Sequence, residues 1–284
     1  MSRATLIDGK AIAADIRENL RQEARAMNPR PTLAVILVGD DPASQVYVKN
    51  KIKACEDVGI TSKEFRLPQD QDAAGVAKTI SALNQDPAVN GILLQLPLPE
   101  HLSVNQESLV QQITPEKDVD GLTTLNAGKL ALGYDDGLVP CTPQGALKLL
   151  QSVQKDLTGM HAVVIGRSNL FGKPMGQLLL RENCTVTTAH SRTRDLDKVC
   201  KQADIIIAAV GQPKMVQVDW IKDDAIVIDV GINRLDNGKL CGDVDFETVS
   251  QRASAITPVP GGVGPMTIAC LLSNTLQATK MQKE

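Results

Sequence analysis

The sequence predicts a two-domain α/β protein with parallel sheets, on three observations. The chain has 284 residues, and average domains run to roughly 150 residues, so about two are expected. Its apolar runs are short, rich in β-branched residues and continuous rather than alternating, which is typical of strands covered on both faces. Amphipathic stretches separate these runs, and the repeated strand–helix–strand order favours an α/β fold.

The first domain is predicted over residues 1–140, as a three-layer α/β unit with a parallel sheet. The run TLAVILVG (32–39) indicates a buried strand. A helix follows from Pro42 to Gly59, because proline suits a helix start and glycine a helix end. The remaining elements are a strand at 64–67, a helix near 72–85 and a strand at 91–96.

The second domain is predicted over residues 141–265, as a Rossmann-type unit. Between its last two strands, residues 231–245 indicate a hairpin or loop with Asn237-Gly238 as the turn. The final helix, 266–284, is apolar on one face and otherwise unpaired, so we expect it to pack back on the first domain. The strands of the second domain are predicted at 161–166, 184–189, 203–211, 224–231 and 254–259.

Composition excludes several classes of protein. The formal net charge is −3 and aromatic residues make up 2%, which argues against a basic nucleic-acid surface and against base-stacking platforms. No apolar run approaches the ~20 residues of a membrane span, and the N-terminus lacks a secretory signal. The six cysteines form no CxxC pair, so buried thiols are favoured over disulfides or a metal site. We therefore expect a cytoplasmic protein that holds no metal.

A glycine loop opens the second domain, in HAVVIGRSNLFGKPMGQLLL (161–180), between a predicted strand and a predicted helix. Glycine lets a phosphate approach the backbone, and a helix N-terminus supplies N–H groups for an anion. The dinucleotide fingerprint starting at Gly166 fails, since Ser168 and Phe171 stand where glycines are required. A P-loop also fails, because Pro174 stands where Ser or Thr would bind magnesium. Spacing alone therefore favours dinucleotide binding only slightly over a structural turn.

The end of the next predicted strand indicates which dinucleotide would bind. His190, Ser191 and Arg192 fall where a Rossmann domain reads the ribose, and Arg167 lies in the glycine loop. NAD enzymes usually carry an acidic residue at this place, whereas cations and a hydroxyl suit a 2′-phosphate. We therefore predict NADP as the cofactor, in preference to ordinary solvated arginines.

Four polar residues stand out in the first domain. Tyr47 and Lys51 are four residues apart on a predicted helix, so they share a face. Gln95 interrupts an apolar strand, where a buried amide must find a partner or face a cavity. By spacing alone, an ordinary lysine beside a half-buried tyrosine is favoured, and a structural role for Gln95 is equally good. Asp120, in KDVDG, reads as a turn residue when taken alone.

The segment PVPGGVGPMT (258–267) precedes the last helix with three glycines and three prolines. It fits either a rigid turn between domains or a loop at the edge of a ligand cleft. We predict a cis Val259–Pro260 bond, since X–Pro bonds tolerate this form in tight turns.

Taken together, the motifs resemble the bifunctional methylenetetrahydrofolate dehydrogenase/methenyltetrahydrofolate cyclohydrolase family. The resemblance implies NADP-dependent oxidation of 5,10-methylenetetrahydrofolate to 5,10-methenyltetrahydrofolate. Hydrolysis to 10-formyltetrahydrofolate then follows in the same cleft between the domains, and the family suggests a homodimer. The matching segments, in the family's order, are GDDPASQVYVKNK (39–51), GILLQLPLP (91–99), PEKDVDGL (115–122), PCTPQG (140–145), GRSNLFGKP (166–174), HSRT (190–193), DVGIN (229–233) and PVPGGVGPMT (258–267).

The same resemblance implies the roles of individual residues. Lys51 is the main catalytic group, Tyr47 stacks on the folate, Gln95 hydrogen-bonds the lysine, and Asp120 binds the pterin ring. Phe171 is the one variation, since a smaller aliphatic residue is more usual there, and it bears on how the glycine loop packs. Further substrate contacts are assigned to Pro260, Gly261 and Gly262. Cofactor contacts are assigned to Gly166, Arg167, Ser168, His190, Ser191, Arg192, Ile232 and Thr267.

Two other classes fit part of the pattern. A shikimate-type dehydrogenase would share the Rossmann half and a catalytic lysine, but neither QLPLP nor DVDG. A non-catalytic NADP-binding regulator would need no constellation of Tyr47, Lys51 and Gln95. For the enzyme, Lys51 must be a neutral amine to accept a proton. A bound cation lowers its pKa and a nearby Asp120 raises it, and the sequence leaves that balance open.

Overall fold

The computed structural model describes residues 4–283. Short 3-10 helices lie at Glu100–Asn105, Pro115–Lys117 and Val218–Trp220. The strands are β1 (Thr5–Leu6), β2 (Thr32–Val38), β3 (Thr61–Leu67), β4 (Gly91–Leu94), β5 (His161–Ile165), β6 (Thr185–Ala189), β7 (Ile205–Ala208), β8 (Ile226–Asp229), β9 (Asn233–Arg234), β10 (Leu240–Cys241) and β11 (Ala255–Ile256). The α-helices are α1 (Gly9–Ala26), α2 (Pro42–Val58), α3 (Ala73–Gln85), α4 (Gln106–Val110), α5 (Thr124–Leu132), α6 (Cys141–Val153), α7 (Gly172–Arg181), α8 (Leu196–Cys200), α9 (Phe246–Val249) and α10 (Val263–Met281).

The larger sheet has six strands in the order β1-β11-β8-β7-β5-β6, and every neighbouring pair is parallel. Its central strands are buried throughout, as their continuous apolar sequences predict. The predicted parallel sheet of the second domain is thereby confirmed. The predicted hairpin is also present: β9 and β10 pair antiparallel, and Gly238 has a φ of 78° in the turn between them.

The smaller sheet has three parallel strands in the order β3-β2-β4. Alternate residues of β2 pack into two different hydrophobic clusters, with Leu33 and Val35 in one and Ala34 and Ile36 in the other. Because both faces of the strand are covered, its sequence is apolar at every position. This sheet with its flanking helices confirms the predicted three-layer α/β arrangement.

The chain divides into two compact units. One comprises the described residues up to Ala14 together with Thr142–Thr267, and the other comprises Asp15–Cys141 with the described residues from Ile268 onward. The N-terminus therefore differs from the predicted first domain of residues 1–140. The cause is β1, which pairs in parallel with β11 and so joins the six-stranded sheet. A strand of two residues carries too little pattern to be recognised in a sequence.

The C-terminal helix α10 packs on the three-stranded sheet, as predicted. Its residues Cys270, Leu271, Leu272 and Leu276 lie in the same cluster as the odd-numbered residues of β2. Burial of these apolar side chains holds the helix in the unit that contains Asp15–Cys141. None of the described helices combines the length and the hydropathy that a membrane crossing requires.

Candidate active site

Helix α2 positions the first two candidate residues, Tyr47 and Lys51. The Asp41 carboxylate caps it by accepting a hydrogen bond from the Ser44 N–H at 2.7 Å, and Gly59 ends it in the left-handed conformation with a φ of 92°. Tyr47 is 43% exposed, so part of its side chain is accessible to a ligand. Lys51 lies one turn further along the same helix and is half-buried.

Lys51 is held by Gln95, its neighbour in space. The Lys51 Nζ donates to the Gln95 Oε1 at 2.9 Å, and Gln95 is only 7% exposed. Gln95 follows the last residue of β4, where its N–H donates to the Ile36 carbonyl at 2.9 Å. Its Nε2 donates to the Leu96 carbonyl at 2.5 Å, which fixes the orientation of the amide. The buried amide that interrupts an apolar strand therefore has its partner, and that partner is the candidate base.

The two aspartates of KDVDG have different surroundings. Asp118 is 1% exposed, and its Oδ2 accepts from the Thr123 N–H at 2.7 Å and from the Asn126 Nδ2 at 3.0 Å. Those bonds give Asp118 a structural role in the loop. Asp120 instead interacts electrostatically with Lys51. Of the pair, Asp120 is thus the one beside the candidate base.

Two buried residues hold the segment that leads to Asp120. The Cys141 Sγ donates to the Val119 carbonyl at 3.2 Å, and the Cys141 thiol helps to lower the pKa of Asp120 against the effect of burial. Asn274, fully buried on α10, donates through Nδ2 to the carbonyls of Val119 and Val139, each at 2.8 Å. These bonds fix the backbone immediately before Asp120.

Burial is the main influence on the pKa of Lys51. It lowers this pKa from its ordinary value, against opposing effects of Asp120, Cys141 and Cys55. Burial likewise raises the pKa of Asp120, and Lys51 partly counters this. Without any ligand, burial thus already makes Lys51 a weaker base than an ordinary lysine, in spite of the opposing Asp120 carboxyl.

In the other unit, the glycine loop connects β5 to α7. Gly166 has a φ of 127°, and a Cβ on Gly172 would lie 2.1 Å from the Gly166 carbonyl oxygen, so the two ends of the loop touch. The Ser168 hydroxyl accepts from the Phe171 N–H at 3.1 Å. Phe171 is 6% exposed, so the larger residue at this position is packed inside. The result is a tight loop at a helix N-terminus, with Arg167 exposed on it, which fits a bound phosphate.

The loop after β6 lies at the same edge of the sheet, because β5 and β6 are parallel neighbours. His190 forms the turn in this loop. The His190 N–H donates to the Thr193 Oγ1 at 2.8 Å, and the His190 Nδ1 accepts from the Arg192 N–H at 3.1 Å. Ser191 and Arg192 are exposed. The structure therefore brings Arg167, Ser191 and Arg192 to one edge, where a Rossmann domain reads the ribose.

The remaining candidates also lie in the unit of the six-stranded sheet. Ile232, after β8, is 49% exposed. The Thr267 hydroxyl donates to the Thr142 Oγ1 at 3.2 Å. The Val259–Pro260 bond is cis as predicted, and Gly261 has a φ of 111°.

Comparison with known proteins decides the family. A family model described as the catalytic domain of tetrahydrofolate dehydrogenase/cyclohydrolase matches residues 7–120, and the model of the family's NAD(P)-binding domain matches residues 140–283. The chain belongs to the tetrahydrofolate dehydrogenase/cyclohydrolase family. Neither a shikimate-type dehydrogenase nor a non-catalytic regulator remains a rival for it.

Individual members of the tetrahydrofolate dehydrogenase/cyclohydrolase family are similar over nearly their whole length. The bifunctional protein FolD of Dinoroseobacter shibae is 56% identical, with 97% of this chain and 94% of the relative covered. The crystal structure of the bifunctional FolD from Campylobacter jejuni is 49% identical, with a TM-score of 0.94 over 98% of this chain and 99% of that one. The Trypanosoma brucei enzyme, solved with NADP and an inhibitor, is 37% identical, with a TM-score of 0.93 over 99% and 98% of the two chains.

Sequence reasoning missed two buried residues of this site, Cys141 beside Lys51 and Asn274 beside Cys141. Cys141 stands in the matching segment PCTPQG, but as a cysteine without a CxxC partner it reads only as a buried thiol. Asn274 interrupts an apolar helix, as Gln95 interrupts an apolar strand. The same rule that singles out Gln95, that a buried amide needs a partner, would have identified Asn274.

Proposed function

We propose that this chain oxidises 5,10-methylenetetrahydrofolate with NADP⁺ and then hydrolyses 5,10-methenyltetrahydrofolate to 10-formyltetrahydrofolate. Membership of the family supports both steps. The NADP bound in the Trypanosoma brucei relative supports the cofactor, as do the cations and hydroxyl at the edge of the six-stranded sheet.

The hydrolysis is the step that requires a base. Water adds to the cationic methenyl carbon, one carbon–nitrogen bond opens, and one proton is released. We assign that proton to Lys51, because burial lowers its pKa and so favours the neutral amine. The contact that carries this assignment is the 2.9 Å hydrogen bond from the Lys51 Nζ to the Gln95 Oε1, which fixes the direction of the amine.

The oxidation requires mainly positioning. NADP⁺ supplies the hydride acceptor when it is bound. The folate's own nitrogen lone pairs assist departure of the hydride, so the protein's task is to hold the pterin in place. We assign this to the half-exposed ring of Tyr47, by stacking, and to Asp120, by hydrogen bonding to the pterin. We assign further folate contacts to Pro260, Gly261 and Gly262.

The cofactor is assigned to the loops at the carboxyl ends of β5, β6 and β8. Gly166 and Ser168 would admit the pyrophosphate to the backbone of the glycine loop. Arg167, Ser191 and Arg192 would bind the 2′-phosphate, since cations and hydroxyls match a dianion. Ile232 would pack against the dinucleotide, and His190 and Thr267 would add further contacts to it.

Replacement of Lys51 by methionine tests the proposal. Lys51→Met keeps the length and apolar stem of the side chain but removes the amine. We expect hydrolysis of methenyltetrahydrofolate to fall at least about 100-fold, the usual scale for loss of a general base. Folate binding, measured by equilibrium titration, should be retained.

Lys53→Met is the matched control, because Lys53 is exposed two residues further along α2. It should leave both activities unchanged. Undiminished cyclohydrolase activity in Lys51→Met would contradict the role of Lys51. Absence of NADPH formation by the unaltered protein from methylenetetrahydrofolate and NADP⁺ would contradict the function as a whole.

We also propose which part of the chain binds each ligand, the oligomeric state and the cellular location. Residues 15–140 with the final helix 266–284 would supply the catalytic side chains and most folate contacts. Residues 141–265 would bind NADP and add Pro260, Gly261 and Gly262 to the folate contacts, and the chain would act as a cytoplasmic homodimer. The two family models support a division near residue 140, and the packing of α10 against β2 supports placing the final helix with the first part. The family resemblance supports the cytoplasmic homodimer. Sedimentation equilibrium tests the dimer, and a mass of one chain at micromolar concentration would contradict it.

A further inference from the structure

One buried carboxylate ties together the segments that follow β7 and β8. Asp243 is fully buried, and its Oδ2 accepts from the N–H groups of Val210 at 2.6 Å and Gly211 at 3.0 Å. Its Oδ1 accepts from the Gln212 N–H and from the Asn233 Nδ2, both at 2.9 Å. A carboxylate has about four acceptor positions, so this one is saturated.

A second carboxylate fixes Asp243 in turn. Asp229, the last residue of β8, is 3% exposed, and its Oδ1 accepts from the N–H groups of Asp243 at 2.9 Å and Gly231 at 3.0 Å. Its Oδ2 accepts from the Val244 N–H at 2.9 Å. A Cβ on Gly242 would lie 1.8 Å from that Oδ2, so only glycine allows the backbone this close. The pair therefore forms a rigid junction of carboxylates and backbone.

This junction lies at the functional edge of the sheet. Strands β7 and β8 are parallel neighbours, so the segments after them leave from the same edge. Ligands of Rossmann domains bind outside the carboxyl ends of the strands. Ile232, one of the proposed cofactor contacts, stands between Gly231 and Asn233, which the two carboxylates hold.

We propose that Asp243 is a positioning residue of the NADP site, fixing segments 210–212 and 231–233 before the cofactor arrives. The inference rests on the proposed placement of the cofactor at this edge. Preformed loops need no ordering when the ligand binds, whereas loops released from Asp243 lose conformational entropy on binding and so weaken it. Asp243 touches neither folate nor the reacting atoms in this scheme.

Replacement of Asp243 by asparagine is the test. The amide keeps the shape but turns one accepting oxygen into a donor, so up to two of the four donors lose their acceptor. We expect the KM for NADP⁺ to rise about tenfold, because segments released in the free enzyme must be ordered again when the cofactor binds. The kcat at saturating NADP⁺ should stay within about threefold of the unaltered enzyme. Hydrolysis of added methenyltetrahydrofolate consumes only water, so its rate should not change.

Asp204→Asn is the matched control. Asp204 also accepts a backbone N–H, that of His161 at 2.9 Å, but it precedes β7 and so lies at the opposite edge of the sheet. It should leave the KM for NADP⁺ unchanged. Because Asp243→Asn can fail to fold, Asn233→Ala serves as a second variant. It removes one of the four bonds, and we expect a rise in KM for NADP⁺ of about three- to fivefold.

The inference is wrong if Asp243→Asn and Asn233→Ala both fold and leave the KM for NADP⁺ unchanged. It is also wrong if cyclohydrolase activity falls in parallel with NADP⁺ binding, because Asp243 would then have a general structural role. Arg167→Ala separates this from failure of the proposed cofactor placement. If Arg167→Ala raises the KM for NADP⁺ and Asp243→Asn does not, only the role of Asp243 fails. If neither variant changes it, the placement of the cofactor itself is wrong.

Discussion

The proposed role of Lys51 as a general base rests on its surroundings rather than on its position in the sequence. Lys49 and Lys53 lie on the same helix and are exposed, whereas Lys51 is half-buried and bonded to Gln95. Burial lowers the pKa of Lys51 although the Asp120 carboxyl acts against it. A lysine that is partly removed from water and aimed by an amide oxygen meets both requirements of a general base: availability of the neutral form and a fixed direction.

The choice between NADP⁺ and NAD⁺ also belongs to single residues. If Arg167 contacts the 2′-phosphate, Arg167→Ala removes a charge-assisted bond that NAD⁺ never makes. We expect kcat/KM for NADP⁺ to fall about tenfold or more while the value for NAD⁺ changes less than about twofold. Steady-state dehydrogenase assays with both cofactors measure this. Arg181→Ala, at the other end of α7, is the control. Equal losses with the two cofactors would refute the contact.

At the scale of the element, α10 has two kinds of buried polar residue. The hydroxyls of Thr275 and Thr279 donate to carbonyls of their own helix, those of Leu271 and Thr275, each at 2.8 Å. The amide of Asn274 instead reaches the carbonyls of Val119 and Val139 in another part of the chain. The helix therefore stabilises the unit through its apolar face and orients the segment before Asp120 through one side chain.

This difference predicts unequal effects of two neighbouring substitutions. Asn274→Leu has a similar shape but removes the amide donor from the carbonyls of Val119 and Val139, of which Val119 keeps the weak Cys141 thiol as a donor. We therefore expect a loss of about 1–3 kcal/mol in the free energy of unfolding. Cyclohydrolase activity should fall as well, because the backbone of Val119 leads directly into Asp120. Thr275→Val should cost about 1 kcal/mol or less and leave activity unchanged. Urea titration and methenyl hydrolysis measure both, and equal effects of the two variants would contradict the orienting role.

The elements differ in how well their sequences predict them. β2, α2 and the hairpin of β9 and β10 were predictable, because continuous burial, helix caps and an Asn-Gly turn are local signals. The two-residue β1 was not, since its existence depends on pairing with β11 about 250 positions away. The candidate site divides in the same way. Lys51, Gln95 and Asp120 stand in recognisable motifs, whereas the bonds of Asn274 and Asp243 depend on segments that only the tertiary fold brings together.

At the scale of the whole molecule, buried and exposed carboxylates affect stability in opposite directions. Hydrogen bonds lower the pKa of several aspartates on the surface, including Asp156, whose largest influence is the Thr158 backbone N–H. Such groups stabilise the folded state above their unfolded pKa and lose that effect as the pH falls. Burial instead raises the pKa of Asp229 from its ordinary 3.8 to about 6, although backbone N–H groups partly oppose it. The folded protein therefore retains a proton on Asp229 at a pH where the unfolded chain has released it.

The raised pKa of Asp229 predicts how the stability of Asp229→Asn depends on pH. Stability due to protonated Asp229 is present below pH 4 and is lost as the pH rises through 6, because the folded state then has to bury a charge. A shift of about two pKa units corresponds to roughly 3 kcal/mol. The free energy of unfolding of the unaltered protein, minus that of the variant, should thus decrease by up to about 3 kcal/mol between pH 4 and pH 7. Urea titrations across this range measure the difference. Asp156→Asn is the control: the free energy of unfolding of the unaltered protein minus that of this variant should increase with pH. If the same quantity increases with pH for Asp229→Asn, the buried carboxyl is ionised across the whole range and the prediction is wrong.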